Sequence, residues 1–211
     1  MSRLRRLVLV RHGETEGQSS TRFHGSGDVP LSAEGEAQMR ELGRSFGFER
    51  FDQVVASPLQ RSWRSAQLAG RGAPVKIEAD FREIDFGRWE GLTREEIQAT
   101  DPVLYEDWQS RAPGFEFPNG EPHGEFRARV EAGLERLLGS GAGTALVVVH
   151  KGVVRAIAEK LLGAPLEEGQ PELGATVELY RDGDAWKPGR PGSNPSGLDP
   201  AVSLEVHSPP A

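Results

Sequence analysis

Three short, valine-rich apolar runs constrain the fold of this chain more than any other feature. They are LVLV at 7–10, QVVAS at 53–57 and ALVVV at 145–149. Each run has the length of a strand but lacks the alternation of a strand with one face in water, so we expect both of its faces to be covered. Strands of this kind are typical of a parallel sheet packed between two layers of helices.

Helical patterns separate and follow these runs. Four helices are predicted from their apolar spacing: 33–46, 59–69, 125–139 and 152–163. Ser32 is the expected N-cap of the first, and Ser57 followed by Pro58 is the expected N-cap of the second. Gly163 is a natural stop for the last.

Two further strands are predicted, PVKIEADF at 74–81 and GATVELYRD at 174–182. Strands that alternate with helices favour an α/β fold in which the sheet is covered on both sides. We therefore expect a three-layer α/β fold, with a mostly parallel central sheet and helices on both faces.

The chain length of 211 residues suits a single domain, which we expect to occupy residues 1–186. Within it, residues 82–123 carry a predicted short helix at 93–100, several aromatic residues and a Pro/Gly-rich loop, and are interpreted as a helical lid insertion. Residues 187–211 hold six prolines and three glycines and are predicted to form a C-terminal extension. Within this extension, 201–207 alternates like an edge strand, which would offer a route to a homodimer.

Charge and cysteine content exclude several classes of function. The net charge of −7 predicts no general attraction to nucleic acid or to an anionic membrane. The absence of cysteine excludes disulfides, thiolate zinc sites and cysteine nucleophiles, and it fits a reducing compartment. The apolar run before Arg11 is shorter than the roughly seven residues of a secretory signal core. We therefore expect a cytoplasmic protein.

Residues able to bind an anion or transfer a proton follow four of the predicted strands. They are Arg11 and His12, Ser57 and Arg61, Arg82 and Glu83, and His150. Each alone has a structural explanation, such as a helix cap or a surface ion pair. Because ligands bind at the carboxyl ends of parallel strands, their joint occurrence predicts one shared site.

The chemistry of this set points to phosphoryl transfer. Arginine binds phosphate oxygens through its planar fork, and neutral imidazole is a competent nucleophile near neutral pH. A carboxylic acid nearby can protonate the leaving oxygen. The residues therefore predict a phosphohistidine intermediate.

The stretch LVLVRHGETEG at 7–17 resembles the RHGE signature of the histidine phosphatase superfamily, whose fold is phosphoglycerate-mutase-like. The resemblance covers about residues 4–182 and continues, in order, through GDVPLSAEGEAQ, ASPLQRSWRSAQ, REIDFGRWEGLTREEI, PNGEPHGEFRARV and VVVHKGVVRAIAEKLLG. RHG alone is a weak signal, whereas the ordered set of motifs is highly specific.

The resemblance assigns roles to individual residues. It implies that His12 is the phosphorylated nucleophile and that Glu83 is the proton donor to the leaving group. It implies a phosphate pocket made of Arg11, Arg61 and His150, with Thr15 and Ser57 as secondary contacts. It also implies that hydrolysis needs no metal and no organic cofactor.

The chain departs from the family pattern at three places. Gln18 stands where the family commonly has asparagine, and Lys151 interrupts the usual His-Gly-Gly after the last core strand. Gln18 and Lys151 are nevertheless predicted to contact substrate; Lys151 either favours a substrate with a second anionic group or points to solvent. A usual Gly-Glu-Ser reads Gly-Glu-Pro at 120–122.

The segment DFGRWEGL at 85–92 resembles the phosphatase branch, which includes α-ribazole phosphatases and broad-specificity phosphatases. We expect a phosphomonoesterase that hydrolyses a small phosphorylated metabolite, with no nucleic-acid or membrane partner. One alternative is a phosphoglycerate-type phosphomutase. The others are a metal site built from His12, His150 and Glu83, or a non-catalytic binding domain.

Overall fold

One six-stranded sheet organises residues 4–189, the part of the chain that the computed structural model describes. The strands are β1 Arg6–Arg11, β2 Gln53–Ala56, β3 Val75–Ile77, β4 Thr144–Val149, β5 Thr176–Asp182 and β6 Ala185–Pro188. The helices are α1 Ala33–Ser45, α2 Gln60–Ala69, α3 Arg94–Thr100, α4 Pro102–Ser110, α5 His123–Leu138 and α6 Lys151–Leu162.

The sheet is mixed, with the order β3-β2-β4-β1-β5-β6. The pairs β2–β3, β2–β4 and β1–β4 are parallel, whereas β5 runs antiparallel to β1 and β6 antiparallel to β5. The three valine-rich runs are the neighbouring strands β2, β4 and β1. The predicted mostly parallel sheet is therefore confirmed.

Successive residues of the central strands pack into opposite layers, because side chains alternate across a sheet. Leu7 and Leu9 of β1 belong to the apolar cluster that includes residues of α5 and α6. Val8 and Val10 belong to a second cluster with residues of α1 and α2. The predicted three-layer arrangement, with helices on both faces, is confirmed.

Two of the predicted helix caps are confirmed and one is wrong. Ser32 caps α1 by accepting a hydrogen bond from the Gly35 N–H, and Gly163 ends α6 with a φ of 71°. The predicted cap at Ser57 is wrong, because α2 begins at Gln60 with Leu59 as its N-cap. The Ser57 hydroxyl has another partner, described below.

One strand prediction needs correction. The strand predicted over 74–81 ends at Ile77, because Ala79–Phe81 form a 3-10 turn that buries Phe81 completely. Lys187 and Pro188 belong to β6, so the predicted domain boundary after residue 186 falls inside a strand. The predicted edge strand at 201–207 lies outside the described residues.

Residues 82–123 contribute a group of packed aromatic side chains to the apolar cluster that also includes Leu7 and Leu9 of the sheet. The predicted short helix is α3, which begins with a capping box between Thr93 and Glu96, and α4 follows as an additional helix. Trp89 is fully buried, and its ring lies about 6 Å from those of Phe23 and Trp108. The aromatic residues of the insertion thus hold it together, as packed aromatic pairs do.

None of the helices in residues 4–189 has the length and apolar character needed to cross a membrane.

Candidate active site

The two site histidines are neighbours because their strands are neighbours. His12 follows β1 and His150 follows β4, and these parallel strands pair Arg11 with Val149. The imidazole ring centroids are 5.2 Å apart with planes at 63°. His12 is 4% exposed and His150 is 1% exposed. Both rings therefore lie in one buried pocket at the carboxyl edge of the sheet.

The His12 imidazole is oriented by its own backbone. Nδ1 lies 2.8 Å from the carbonyl oxygen of Gly13, and because a carbonyl only accepts, Nδ1 carries the proton. Burial, followed by the charges of Arg61 and Arg11, holds the pKa of His12 well below its usual value. The ring is therefore neutral near pH 7, with its lone pair on Nε2.

Arg61 is fully buried and held by three carbonyl groups. Its Nη1 donates to Gly27 O at 2.6 Å, and its Nη2 donates to His24 O at 3.0 Å and Gly25 O at 2.7 Å. Carbonyl groups fix the guanidinium in place but do not neutralise it. Its positive charge therefore remains available to a ligand.

Glu90 holds the loop that positions Arg61. Its carboxylate accepts hydrogen bonds from the N–H groups of Gly25, Ser26 and Gly27, and from that of Phe86. The carboxylate thus ties the insertion to the loop whose carbonyls bind Arg61. Glu90 was not predicted, and no local motif marks it, because the loop at residues 25–27 that it binds lies more than 60 positions earlier.

Arg11 is held more loosely. Its Nη1 donates to Pro171 O at 3.2 Å and its Nη2 to Ser19 O at 3.4 Å. The Thr15 hydroxyl lies 2.8 Å from the Ser19 hydroxyl and also accepts from the Ser19 N–H. Thr15, predicted as a substrate contact, is thus engaged in the turn that supports Arg11. Gln18 is exposed at the same turn with a φ of 59°, a left-handed conformation that favours asparagine.

Ser57 positions His150. The Ser57 hydroxyl oxygen accepts from the Leu59 N–H at 3.2 Å and lies 2.8 Å from His150 Nε2. With its oxygen already accepting, the hydroxyl can donate its proton to Nε2. His150 then carries its proton on Nδ1. Burial, followed by the charge of Arg61, holds the pKa of His150 well below its usual value, so the ring is neutral.

Three nitrogen atoms of the predicted phosphate-binding residues are distinctive. Among the side chains of residues 4–189, Arg11 Nε, Arg61 Nε and His150 Nδ1 are buried without a hydrogen-bond partner. Buried polar groups are almost always partnered, so these three point to a ligand. All three belong to residues that the resemblance assigns to phosphate binding, and an oxyanion could accept from each.

Glu83 faces the same pocket from the segment that follows the 3-10 turn. Its Oε2 accepts from the Gly152 N–H at 2.9 Å and its Oε1 from the Ile84 N–H at 3.0 Å. Burial raises the pKa of Glu83 above its usual value, against the opposing effect of these hydrogen bonds and of Arg61 and Arg11. A Cβ atom at position 152 would collide with Oε1, so glycine leaves room for the Glu83 carboxylate in this position.

Arg129 fixes the backbone at Glu83 but was not predicted. Its guanidinium donates to the carbonyl oxygens of Glu83 at 3.0 Å and Arg82 at 2.7 Å, and it forms an ion pair with Glu121 at 2.6 Å. The side chain of Arg82, predicted to line the pocket, is instead exposed, and only its carbonyl takes part. The prediction that Arg82 lines the pocket is therefore wrong. The strand before Arg82 ends early, and the 3-10 turn redirects the chain.

The sequence left a metal site open as an alternative. In the described part of the chain, no three or more His, Asp or Glu side chains lie close enough together to hold a metal ion. The nearest charges to His12 and His150 are the guanidinium groups of Arg61 and Arg11, which repel a cation. This geometry favours an anion over a metal.

Ser57→Ala is expected to lower kcat about tenfold to hundredfold, because the proton on His150 Nδ1 is then no longer fixed. KM is expected to change little. Ser57→Thr, which keeps the hydroxyl, is expected to restore most of the rate, and Ser45→Ala at an exposed helix end provides a control. Steady-state kinetics on an aryl phosphate measure all three. Equal losses in Ser57→Ala and Ser57→Thr would show that packing alone matters.

The sequence of this chain is similar to those of a known protein family. Residues 7–188 match the family described as the histidine phosphatase superfamily, branch 1. A bifunctional protein of Mycobacterium tuberculosis is 37% identical over 155 residues, which cover 69% of this chain and 41% of that protein. The chain thus spans about two fifths of the length of the mycobacterial relatives it matches.

Two further relatives match over most of both chains. The adenosylcobalamin/alpha-ribazole phosphatase of Salmonella typhimurium is 34% identical over 167 residues, covering 76% of this chain and 81% of that enzyme. The crystal structure of the alpha-ribazole phosphatase from Shigella flexneri superposes with a TM-score of 0.78 at 28% identity, covering 92% of this chain and 100% of that one. The match between folds therefore extends well beyond the signature motifs.

Proposed function

Since this chain belongs to branch 1 of the histidine phosphatase superfamily, we propose that it hydrolyses phosphomonoesters of small metabolites through a phosphohistidine at His12. One observation carries the proposal. The neutral imidazole of His12 lies in the pocket where Arg11, Arg61 and His150 each leave a buried nitrogen without a partner. A phosphoryl group bound by these nitrogens would meet the Nε2 lone pair.

The first step transfers the phosphoryl group to the enzyme. His12 Nε2 forms a bond to phosphorus as the bond from phosphorus to the ester oxygen breaks. Glu83, whose raised pKa favours the protonated acid, donates its proton to the leaving oxygen. The products are a phosphohistidine, a free alcohol and the Glu83 carboxylate.

The second step returns the enzyme to its resting state. The Glu83 carboxylate takes a proton from water, whose oxygen attacks phosphorus as the bond from Nε2 to phosphorus breaks. His12 recovers its lone pair, Glu83 its proton, and inorganic phosphate is released. In both steps Arg11, Arg61 and the His150 Nδ1–H stabilise the negative charge on the transferring oxygens.

The proposed substrate class is a small phosphorylated metabolite, as the names of the Salmonella and Shigella relatives suggest. The cytoplasm is the proposed location, supported by the lack of cysteine in the sequence. A panel of phosphorylated metabolites that includes α-ribazole phosphate, phosphoglycerates and sugar phosphates would define the substrate.

The wild-type protein is expected to release phosphate from p-nitrophenyl phosphate at the same rate with and without EDTA, because His12 and Glu83 supply the nucleophile and the acid. Phosphate release and isomerisation of phosphoglycerate are measured in parallel. Loss of the rate on chelation would contradict the metal-free mechanism. Isomerisation faster than phosphate release would favour the phosphomutase alternative.

A further inference from the structure

Lys151 is a cation that the proposed chemistry does not use. It is the first residue of α6 and lies between His150 and Gly152, two residues whose groups face the pocket. Its side chain is half-buried, and its ammonium makes no hydrogen bond or ion pair with any residue between 4 and 189. Burial lowers the pKa of Lys151, and the charges of Arg11, Arg155 and Arg94 lower it further. The ammonium therefore lies in a positive environment.

The arginines around Lys151 keep their charge. Arg155, one helical turn further along α6, donates only to the carbonyl oxygens of residues 166, 167 and 170. Arg94, at the start of α3, lies over the ring of Trp108, with 5.7 Å from the guanidinium carbon to the ring centroid. Arg11 likewise donates to carbonyl oxygens. Partners of this kind orient a cation without cancelling its charge.

Carboxylates of the described residues do not form ion pairs with Lys151 or with Arg11, Arg94 and Arg155. Across residues 4–189, no ion pair joins a carboxylate to Lys151 or to any of the three arginines, although the chain has 32 acidic residues against 25 basic ones. Elsewhere on α6, Lys160 does pair with Glu131 at 2.8 Å. Glu83 opposes the positive field at Lys151, and burial raises the pKa of Glu83 itself. Glu83, Glu14 and Glu172 offset part of the charge of Arg11, and the adjacent Glu95 interacts with the charge of Arg94.

Like charges held together in a half-buried site are unfavourable unless an anion joins them. The phosphoryl group accounts for Arg11 and Arg61, which bracket His12. It leaves Lys151, Arg94 and Arg155, none of which forms an ion pair with another residue of 4–189. Of the three, Lys151 directly precedes Gly152, whose backbone N–H holds Glu83, the proposed donor to the leaving group.

We propose that Lys151, supported by Arg94 and Arg155, binds a second anionic group, a carboxylate or a phosphate, on the leaving-group side of the substrate. The inference rests on the proposed phosphatase function and narrows it. The substrate is then a phosphomonoester of an acid, rather than of an uncharged alcohol.

A pair of matched compounds tests this subsite by binding alone. 3-Phosphoglycerate and glycerol 3-phosphate share one carbon skeleton and differ in a carboxylate. Calorimetry is done with His12→Ala protein, which retains Arg11 and Arg61 but has no nucleophile to turn either compound over. We expect 3-phosphoglycerate to bind about tenfold more tightly than glycerol 3-phosphate, as a charge-assisted contact allows.

Adding Lys151→Gln is expected to bring the ratio of the two dissociation constants to within about twofold of unity, because the ammonium is lost. Lys151→Arg is expected to keep much of the preference. Lys160→Gln, the same substitution on the same helix, is the matched control and should leave the ratio unchanged.

Equal affinities in the His12→Ala protein, no binding of either compound, or a ratio that survives Lys151→Gln would each overturn the subsite. Phosphate release by the wild-type protein is measured separately. If no phosphate is released but the preference for 3-phosphoglycerate holds, the proposed hydrolysis is wrong and the subsite stands. If phosphate is released and the preference for 3-phosphoglycerate is absent, the proposed hydrolysis stands and the subsite is wrong.

Discussion

His12→Ala is expected to lower the rate of phosphate release by about 10⁴-fold or more, because the substitution removes the atom that bonds to phosphorus. In the wild-type protein, acid-labile and base-stable radioactivity should appear on the chain after mixing with ³²P-labelled substrate and rapid quenching in base. His12→Ala should carry no such label. Stopped-assay phosphate release and the quench experiment measure the two effects independently.

The His12→Ala protein should still bind inorganic phosphate, since Arg11 Nε, Arg61 Nε and His150 Nδ1 remain in place. That binding separates a lost nucleophile from a lost fold. His123→Ala is the matched control, because His123 lies on α5 and pairs with Glu116 away from the pocket. A labelled His12→Ala chain, or one that retains most of its rate, would exclude His12 as the nucleophile.

Glu83→Gln is expected to lower steady-state turnover by about 10²–10⁴-fold, the range for loss of a general acid–base group. The effect should differ between the two steps. A nitrophenolate leaves readily without a proton, so the first turnover on p-nitrophenyl phosphate should survive. Hydrolysis of the phosphohistidine needs a base for water and should stall. Rapid mixing should therefore show a burst of nitrophenol equal to the enzyme concentration.

The pH profile provides a second readout for Glu83. Below the lowered pKa of His12 the imidazole is protonated and has no lone pair, and above the raised pKa of Glu83 the acid has lost its proton. For an alkyl phosphate, activity should therefore fall on both sides of an optimum between these two values. Glu83→Gln should abolish the alkaline fall.

Glu83→Asp, which keeps an ionisable carboxyl, should retain part of the turnover and the alkaline fall. Unchanged steady-state turnover in Glu83→Gln would remove the residue from the proposed mechanism. A linear time course without a burst would show instead that phosphorylation of His12 is the step that is lost.

Local sequence was sufficient for the parts of the fold that depend on short-range patterns. The valine-rich runs identified β1, β2 and β4, because a strand buried on both faces leaves an unbroken apolar run. Since the carboxyl ends of neighbouring parallel strands share one sheet edge, His12 and His150 could be expected to lie together before their ring distance of 5.2 Å was known. The same argument placed Arg61 and Glu83 at this edge, and the motif resemblance assigned their roles.

Predictions from local sequence were wrong where a tertiary contact determined the position or partner of the same residue. Ser57 has the residue type of an N-cap, yet its hydroxyl bonds His150, which lies 93 positions away. Arg82 follows an apolar segment, yet the 3-10 turn at 79–81 leaves its side chain exposed. In both cases the local preference is weak compared with the packing of Phe81 and the pairing of a buried imidazole.

By itself, then, the sequence determined the sheet and the edge on which the candidate site lies, and it predicts that His12 is the nucleophile. Only the tertiary structure decided how each group is held: Glu90 fastens the loop that binds Arg61, Arg129 fixes the backbone of Glu83, and Ser57 hydrogen-bonds His150. These contacts join side chains to atoms 46–93 positions away. No local preference encodes them, because they arise only once the packed layers bring distant loops within hydrogen-bonding distance.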